Sequence, residues 1–284
     1  MFQTPLDTHR YLRHRTKTNW PQVDIFHLPT TNRIHTIPSP PSLRPSPSNP
    51  TQKGGMIMAL SLFTHPSSAE LTVIAGYESG HTVISSLSPS NNTWATIYTA
   101  HSHAQPILSL SISLSDNCYF TSSADANIAK HPIPAAVLVD DDVEEIKREG
   151  PAAGGADGEL KILKTGHSGQ QSLQVRNDGK IFATAGWDGR VRVYAVKTMR
   201  ELAVLKWHKE GCYAVAFADV NVNVDGLSGL AHDRNKGGDG REGKELVGRI
   251  GALSVKQERL RKAETTHWLA VGSKDGKVSL WDIY

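Results

Sequence analysis

A short segment at residues 186–194 recurs at residues 272–282, and this recurrence restricts the chain to a repeat architecture. The two copies read Gly-Trp-Asp-Gly-Arg-Val-Arg-Val-Tyr and Gly-Ser-Lys-Asp-Gly-Lys-Val-Ser-Leu-Trp-Asp. Asp and Gly tolerate the positive φ that a tight hairpin turn requires. The alternation of apolar and polar residues after the turn predicts a strand with one buried face. We therefore expect repeated β-hairpins, an architecture that is typical of scaffolds.

Histidines upstream of the hairpins indicate the length of the repeat. His167 and His208 precede apolar first strands and are 41 residues apart, which matches a four-stranded blade of roughly 40–45 residues. Weaker copies begin near Met56 and His103, and residues 23–37 resemble the outer strands of a further unit. The chain is thus predicted to be all-β: a WD40-type β-propeller, incomplete or open, with about four blades plus the outer strands of another.

The repeats define one predicted domain. Residues 21–284 form a single propeller domain, and residues 1–20 carry no blade pattern. Three insertions interrupt the repeats: a Pro-rich segment expected to be an extended, solvated linker (38–55), an acidic and Gly/Ala-rich segment (133–160) and a Gly-rich, charged segment (219–266). The last insertion contains enough helix formers for a short helix after residue 253. Either another chain completes the ring, or an N-terminal portion is missing.

Histidine and aspartate recur at matching places in the repeats, so we interpret them as structural. In such a blade the His before the first strand and the Asp of the hairpin turn are expected to hydrogen-bond across the strands. A catalytic His–Asp pair would need a nucleophile beside it and would occur once. The structural positions predicted in this way are His103, His167, Asp188, Gly189, His208, Asp275, Gly276 and Trp281. At Asp125-Ala126-Asn127 the turn lacks glycine, and we expect a looser hairpin there.

Three residues near the turns are predicted to form a rim that contacts partners: Trp187, Tyr213 and Lys274. The turns of successive blades open onto the same rim of a propeller, and Trp and Tyr are enriched among the residues that dominate binding energy. The alternative for Trp187 is packing against its own or a neighbouring blade.

Composition excludes several other classes of function. A formal charge of +3 on 284 residues is too small to predict nucleic-acid binding through bulk electrostatics. The two cysteines form no zinc pattern, and neither the His101-x-His103 pair with His81 and His131 elsewhere nor the Asp140–Asp142 run has partners at ligand spacing, so we expect no metal site. No phosphate-binding loop occurs, so no cofactor is expected. No apolar run is long enough to span a membrane.

Four segments carry a resemblance to a known family. They are Gly-Tyr-Glu-Ser-Gly within 75–81, Gly-His-Ser-Gly-Gln-Gln within 166–173, the hairpin at 185–194, and the C-terminal run 267–281. From about residue 23 onward the chain resembles the ASTRA-associated WD-repeat proteins of fungi, and the three insertions are least similar. The propeller of that family is longer at its N-terminal end than this chain.

The resemblance implies a non-enzymatic subunit of the nuclear ASTRA assembly. Its implied partners are a large phosphatidylinositol-3-kinase-like scaffold, co-chaperones and AAA+ ATPases, and its implied roles are chromatin remodelling and the assembly of kinase-like proteins. The alternative is another WD-repeat adaptor, either a G-protein β-like signalling protein or a substrate adaptor of a ubiquitin ligase. The sequence does not support that alternative, because residues 1–20 show no heptad pattern and no separate ligase-binding motif occurs.

Overall fold

Five antiparallel sheets make up the protein. The computed structural model describes residues 21–44, 54–134, 159–167, 169–220, 255–256, 259, 262 and 265–283, together with the backbone of residues 10–15. Within these residues, eighteen strands form the sheets, and successive strands of each sheet are neighbours. We refer to the sheets as blades 1 to 5 in chain order.

Blades 2, 3 and 4 have four strands each, and blades 1 and 5 have three. Blade 1 contains β1 (Arg10–Arg15), β2 (Gln22–His27) and β3 (Asn32–Pro38). Blade 2 contains β4 (Ile57–Thr64), β5 (Leu71–Tyr77), β6 (His81–Leu87) and β7 (Trp94–His101). Blade 3 contains β8 (Ile107–Ser113), β9 (Cys118–Ser123), β10 (Asn127–Pro132) and β11 (Lys161–Lys164). Blade 4 contains β12 (Gln170–Val175), β13 (Ile181–Gly186), β14 (Val191–Ala195) and β15 (Glu201–Leu205). Blade 5 contains β16 (Cys212–Phe217), β17 (Trp268–Ser273) and β18 (Val278–Asp282). Two short 3-10 helices follow β3 and β8, at Pro41–Leu43 and Leu114–Asp116.

The hydrophobic core lies between the blades. In β5, Val73 and Ala75 pack toward blade 1, while Ile74 between them packs toward blade 3. In β13, Phe182 packs toward blade 3 and Ala183 toward blade 5. Because successive strand residues point to opposite faces, a strand with a neighbour on each side is buried along its whole length. This explains the near-continuous apolar runs in these two strands. The observed sheets confirm the all-β class of WD40-type blades.

The two faces of blade 5 differ in exposure. Val278 is 66% exposed and Leu280 is 65% exposed. Ser279 and Trp281, which alternate with them along β18, are half-buried toward blade 4. Four hydrophobic clusters join consecutive blades, and none joins blade 5 to blade 1 among the described residues. Over the described chain, the blades therefore form an open array.

The Asp-Gly turns form as predicted, for an identifiable reason. The Asp188 carboxylate accepts a hydrogen bond from the Arg190 N–H at 3.2 Å, and Asp275 accepts one from Lys277 N–H at the same distance. Aspartate closes a turn of this kind with its own side chain. Gly189 and Gly276 follow with φ of 73° and 78°, in the left-handed region that glycine adopts without strain.

The expectation of a looser turn in blade 3 is wrong. Ala126 adopts φ of 68° in the place that glycine occupies in the other turns, and Asp125 accepts the Asn127 N–H at 3.0 Å. The hairpin keeps the same form, because the aspartate bond fixes it, and the alanine carries the strain of the left-handed conformation.

Two further expectations from the sequence need correction. Residues 1–20 were expected to lack blade strands, but the backbone of Arg10–Arg15 pairs with β2. The Pro-rich segment was expected to be solvated, but Ser39 and Leu43 are buried, and Leu43 joins the core between blades 1 and 2. An apolar side chain next to an open inter-blade seam gains more from burial than from exposure.

The insertions fall largely outside the described residues. Residues 45–53, 135–158 and 221–254 are not described, so the acidic run and the glycine-rich loop stay predictions, as do the domain boundaries. In the expected helix, residues 255, 256, 259 and 262 are helical. No helix among the described residues is both long and apolar enough to cross a membrane.

We predict that Ala126→Gly stabilises the protein. Relief of the left-handed strain is expected to raise the free energy of unfolding by about 1 kcal/mol. Ala203→Gly is the matched control, because Ala203 lies in outer strand β15, opposite Val193, and the same exchange in a strand costs roughly 0.5–1 kcal/mol. Urea unfolding of the two variants measures both changes, and a loss of stability in Ala126→Gly would contradict the prediction.

Candidate functional site

A buried polar network in blade 3 connects the His and Asp positions across the strands. His103 Nδ1 lies 3.1 Å from Asp125 Oδ1, and His103 Nε2 lies 2.8 Å from Thr121 Oγ1. Thr121 Oγ1 in turn lies 3.0 Å from Nε2 of His131. The side chains of His103, Thr121 and His131 are all buried. This is the pairing that the sequence predicted for the blades, in the copy that was weakest in sequence.

The same network ties blade 3 to blade 2. His131 stacks on Tyr119 with ring centroids 4.6 Å apart, and its Nδ1 lies 3.2 Å from the hydroxyl of Tyr98 in β7. The Tyr119 hydroxyl lies 3.1 Å from Thr82 Oγ1 in β6. Bonds that cross between sheets fix their relative position, because each buried group would otherwise be left without a partner.

The two ends of the network differ in ionisation state. Burial lowers the pKa of His131 to about 3, with a further contribution from nearby His103. Burial alone would raise the pKa of the Asp125 carboxyl, but N–H donors from Ala104 and Asn127, together with His103, hold it below its usual value. The network therefore contains a neutral His131 and an ionised Asp125 at neutral pH.

In blade 4 the predicted His–Asp pair does not form. Asp188 instead pairs with Arg192, with Nη2 to Oδ2 at 2.6 Å, and the Arg192 side chain is buried. His167 contributes only backbone atoms to hydrogen bonds among the described residues. Arg192 occupies the Asp188 carboxylate with two guanidinium nitrogens, so the acceptor is already bonded.

In blade 5 the predicted pair is also replaced. His208 Nε2 lies 2.8 Å from Ser279 Oγ, and the Trp281 indole N–H donates to the same oxygen at 2.9 Å. Asp275 is bonded by Lys277 Nζ at 2.6 Å. His208 thus still links the segment before β16 to β18, through a serine that the sequence did not single out, whereas Trp281 bonds within its own strand. The hydrogen bonds of Asp275 stay within its own turn.

Gly189 is needed for space as well as for conformation. A Cβ atom at this position would lie 2.9 Å from the Glu210 carbonyl oxygen and 3.0 Å from that of His208. Nothing lies within 4 Å of the corresponding atom at Gly276. The difference arises because the blade 4 turn packs against residues 208–210, which precede β16. No described residue covers the blade 5 turn in the same way.

The three predicted rim residues lie along one edge of blades 4 and 5. The Trp187 N–H donates to the Gly169 carbonyl at 3.0 Å, and Lys274 N–H donates to the Gly211 carbonyl at 2.9 Å. A Cβ at Gly211 would lie 3.0 Å from the Trp187 carbonyl oxygen, so the two turns meet at this glycine. Tyr213 follows two residues later and is 42% exposed. We call Trp187, Gln171, Tyr213 and Lys274 the 4–5 rim.

Trp187 packs against its own blade, and its role as a partner contact stays a prediction. Its indole ring lies over Gly169, where any Cβ would clash with it, and its Nε1–H donates to Gln171 Oε1 at 2.9 Å. The side chain is nevertheless 44% exposed. The ring is therefore held in one orientation by its own blade while a large part of its surface faces solvent, which lowers the entropy cost of binding.

Bulges occur at the start of the first strand in blades 2 to 5, and sequence reasoning missed them. The register shifts at the start of β4, β8, β12 and β16, between their first and third residues. The bulged residues are Met58, Leu108, Gln171 and Tyr213. A bulge re-aims a side chain away from the regular alternation. The available signal was one residue that is out of phase with the alternation of its strand.

Lysine and arginine side chains are unevenly distributed between the blades. Around the 4–5 rim, Arg190, Lys209 and Glu210 are exposed, in addition to Lys274. In contrast, residues 54–129, which form blade 2 and most of blade 3, contain no lysine or arginine. Asp188 and Asp275 are exposed in the two turns as well, so the rim of blades 4 and 5 is an aromatic surface of mixed charge.

The described residues offer little reactive chemistry. Cys118 and Cys212 are free and buried, and burial raises the pKa of each thiol to about 11, so neither is a thiolate at neutral pH. Within the same residues, no group of three or more His, Cys, Asp or Glu side chains is arranged to hold a metal ion.

Comparison with known proteins gives relatives and a fold. A profile described as "WD domain, G-beta repeat" matches residues 158–195 and 261–282. Proteins named "ASTRA-associated protein 1" from Verticillium alfalfae and Aspergillus flavus are 46% identical over 262 residues and 42% identical over 275 residues. Each alignment covers 92% of this chain and 56% of the relative. The chain thus spans a little over half the length of these curated relatives.

Among solved structures, the crystal structure of Sqt1 from Saccharomyces cerevisiae is similar, with a TM-score of 0.54 and 11% sequence identity. The match covers 93% of this chain and 53% of that chain. At this identity the similarity concerns the fold alone, and it agrees with the arrangement of sheets described above.

We predict that acid destabilises the protein partly through His131. The unfolded chain protonates this ring near pH 6.5, whereas the folded protein holds its pKa at about 3. Its contribution is therefore fully present above pH 6.5 and is lost as the pH falls toward 3, at up to about 1.4 kcal/mol per pH unit.

His131→Gln removes this titration, and the free energy of unfolding should then fall less between about pH 7 and about pH 5 than in the wild type. His27→Gln, whose ring contacts Thr30 outside the network, is the control and keeps the wild-type dependence. Urea unfolding at several pH values measures the slopes. An unchanged slope in His131→Gln would contradict the prediction.

Proposed function

We propose that this chain, which belongs to the ASTRA-associated protein 1 family of WD-repeat proteins, is a non-catalytic scaffold subunit of the nuclear ASTRA complex. Its role there is in chromatin remodelling and in the assembly of phosphatidylinositol-3-kinase-like proteins. The name of its relatives supports the association with the complex. The partners that we propose are a kinase-like scaffold protein, co-chaperones and AAA+ ATPases.

The 4–5 rim is the observation that carries the proposal. Trp187 and Tyr213 expose 44% and 42% of their surfaces on elements that backbone hydrogen bonds hold in place. Exposed Trp and Tyr side chains in fixed orientations supply much of the energy of protein interfaces. Lys274, Arg190 and Lys209 lie around them together with the exposed carboxylates Asp188 and Asp275, so the surface is suited to a protein segment that combines apolar residues with charges of both signs.

Several features support a scaffold rather than an enzyme. The His and Asp side chains are used in hydrogen bonds that hold strands and turns, such as His103 with Asp125 and His208 with Ser279. The cysteines are protonated and buried. Contact residues that are repeated along a rigid array suit a protein that holds several partners at fixed distances.

Substitutions on the rim test this proposal. Trp187→Ala and Tyr213→Ala should each lower the recovery of the kinase-like scaffold and AAA+ ATPase subunits in affinity purification from the source cells. Loss of one such anchor costs about 2 kcal/mol or more of binding energy, or roughly a 30-fold change in affinity. Leu202→Ala is the matched control, because Leu202 is 49% exposed on outer strand β15, away from the turns.

The outcomes separate the alternatives. Recovery of the same partners by wild type and Leu202→Ala, but not by the rim variants, supports the proposal. If the wild type recovers only signalling or ubiquitin-ligase components, the protein is another kind of WD-repeat adaptor. Equal recovery by all variants would place the contacts elsewhere. Thermal unfolding of each variant distinguishes a lost contact from a lost fold.

A further inference from the structure

Blade 5 has an apolar face that points away from blade 4. Val215, Leu269 and Val271 pack toward blade 4, so the residues that alternate with them along the strands point the opposite way. Across β16, β17 and β18 these are six small or apolar residues: Ala214, Ala216, Ala270, Gly272, Val278 and Leu280. We call them the outer face of blade 5.

The register arranges the outer face in two rows that run across the strands. Ala214 lies opposite Gly272, which in turn lies opposite Val278. The second row runs in the same way from Ala216 to Leu280. A Cβ atom on Gly272 would lie 3.5 Å from that of Ala214, so the members of a row are direct neighbours. Each row is therefore flat over β16 and β17 and is raised by a large side chain at β18.

The large side chains of this face are open to solvent. Val278 and Leu280 are the most exposed large apolar side chains in the described strands, and Ala214 and Ala216 are exposed beside them. Asp282, at the end of β18, is the only charged residue that the three strands place on this side. Such a face gains free energy when a second apolar surface covers it, because no charge in its centre has to leave water.

The other end of the array does not offer a matching surface. Asp24 lies in β2 between two residues that pack toward blade 2, so it points away from that blade. Its carboxylate accepts a hydrogen bond from Thr36 Oγ1 at 2.7 Å and lies 3.5 Å from Arg33 Nη1. A head-to-tail contact between two copies would press this ion pair against the outer face of blade 5. The half-exposed guanidinium would then lose its water without gaining a partner.

We propose that two copies of this chain form a symmetric dimer through the outer faces of blade 5. A two-fold axis parallel to the strands reverses their order, so β18 of each copy lies over β16 of the other. Val278 then packs on the partner's Ala214, and Leu280 packs on the partner's Ala216. Large side chains meet small ones in both rows, and the alanine and glycine of β17 let the two sheets approach in the aligned packing of sandwiches.

The size of the face determines how strong this contact is. β16 and β18 are about 10 Å apart, so the interface is only one blade wide. Its buried area falls below the roughly 1,200 Å² at which standard protein interfaces begin. We therefore expect a weak, reversible dimer that forms in the micromolar range or above. The contact uses other residues than the 4–5 rim and does not depend on the proposed function.

Sedimentation equilibrium of the full chain at several concentrations tests the dimer. The wild type should show a monomer–dimer equilibrium, and Leu280→Lys should weaken it about a hundredfold or more. The reason is that the substitution occurs twice in a symmetric interface, and each buried lysine costs about tenfold or more in affinity. Leu202→Lys is the matched control, because Leu202 is 49% exposed on outer strand β15 and should leave the equilibrium unchanged.

An exchange of large and small residues tests the arrangement of the two sheets. Ala216→Leu should weaken the dimer, because two large side chains then meet across the interface. The double variant Ala216→Leu/Leu280→Ala reverses the two sizes and should restore the affinity to within about tenfold of the wild type. Thermal unfolding shows that each variant is folded, as expected for substitutions at exposed positions.

Three results would overturn the proposal. The first is a wild type that stays monomeric at every concentration, and the second is equal association of the wild type and Leu280→Lys. The third is growth into assemblies larger than a dimer, which would indicate a head-to-tail contact. Failure of the double variant to regain affinity would reject the proposed packing of β18 on β16.

Discussion

The blades of this protein depend on burial between sheets, because no blade has a core of its own. Val73 and Ile74 are adjacent in β5 yet belong to clusters on opposite sides of blade 2. In blade 4, the adjacent residues Phe182 and Ala183 likewise belong to hydrophobic clusters on opposite sides of the blade. A sheet removed from the array would expose two apolar faces at once, so stability arises from stacking. Blade 5 shows the consequence, since its outer face leaves Val278 and Leu280 exposed.

The functional surfaces depend on the same stacking. The 4–5 rim exists only when blades 4 and 5 are docked, because Gly211 joins the backbone of Trp187 to that of Lys274. Serine hydroxyls reinforce the contact between first strands: Ser172 accepts the Val215 N–H at 3.2 Å, and Ser109 accepts that of Leu173 at 3.1 Å. Blades stacked in this way hold the exposed side chains of the rim at fixed separations, which suits the scaffold role that we propose.

The polar positions show where sequence reasoning stops being reliable. A His–Asp pair was expected in blades 4 and 5, and the structure has one in blade 3, between His103 and Asp125. In blade 4, Asp188 forms an ion pair with Arg192, which is nearer than the histidine and permanently charged. His208 stands four residues before its first strand, as His103 does, yet it bonds to Ser279, so spacing alone does not decide the pairing. Chemical type alone does not contain that information, since several side chains compete for each carboxylate.

The sequence by itself determined the strands and their turns, because alternation and the Asp-Gly dipeptide act over a few residues. It also determined the WD-repeat character of the chain. Only the tertiary structure decided which distant groups meet: His81 beside His101, His131 beside Tyr98, and Leu43 in the core between blades 1 and 2. These meetings follow from the register between strands, from bulges that shift it, and from the stacking of sheets. The register and the stacking are not encoded in a local pattern, since each depends on the position of a second segment of the chain.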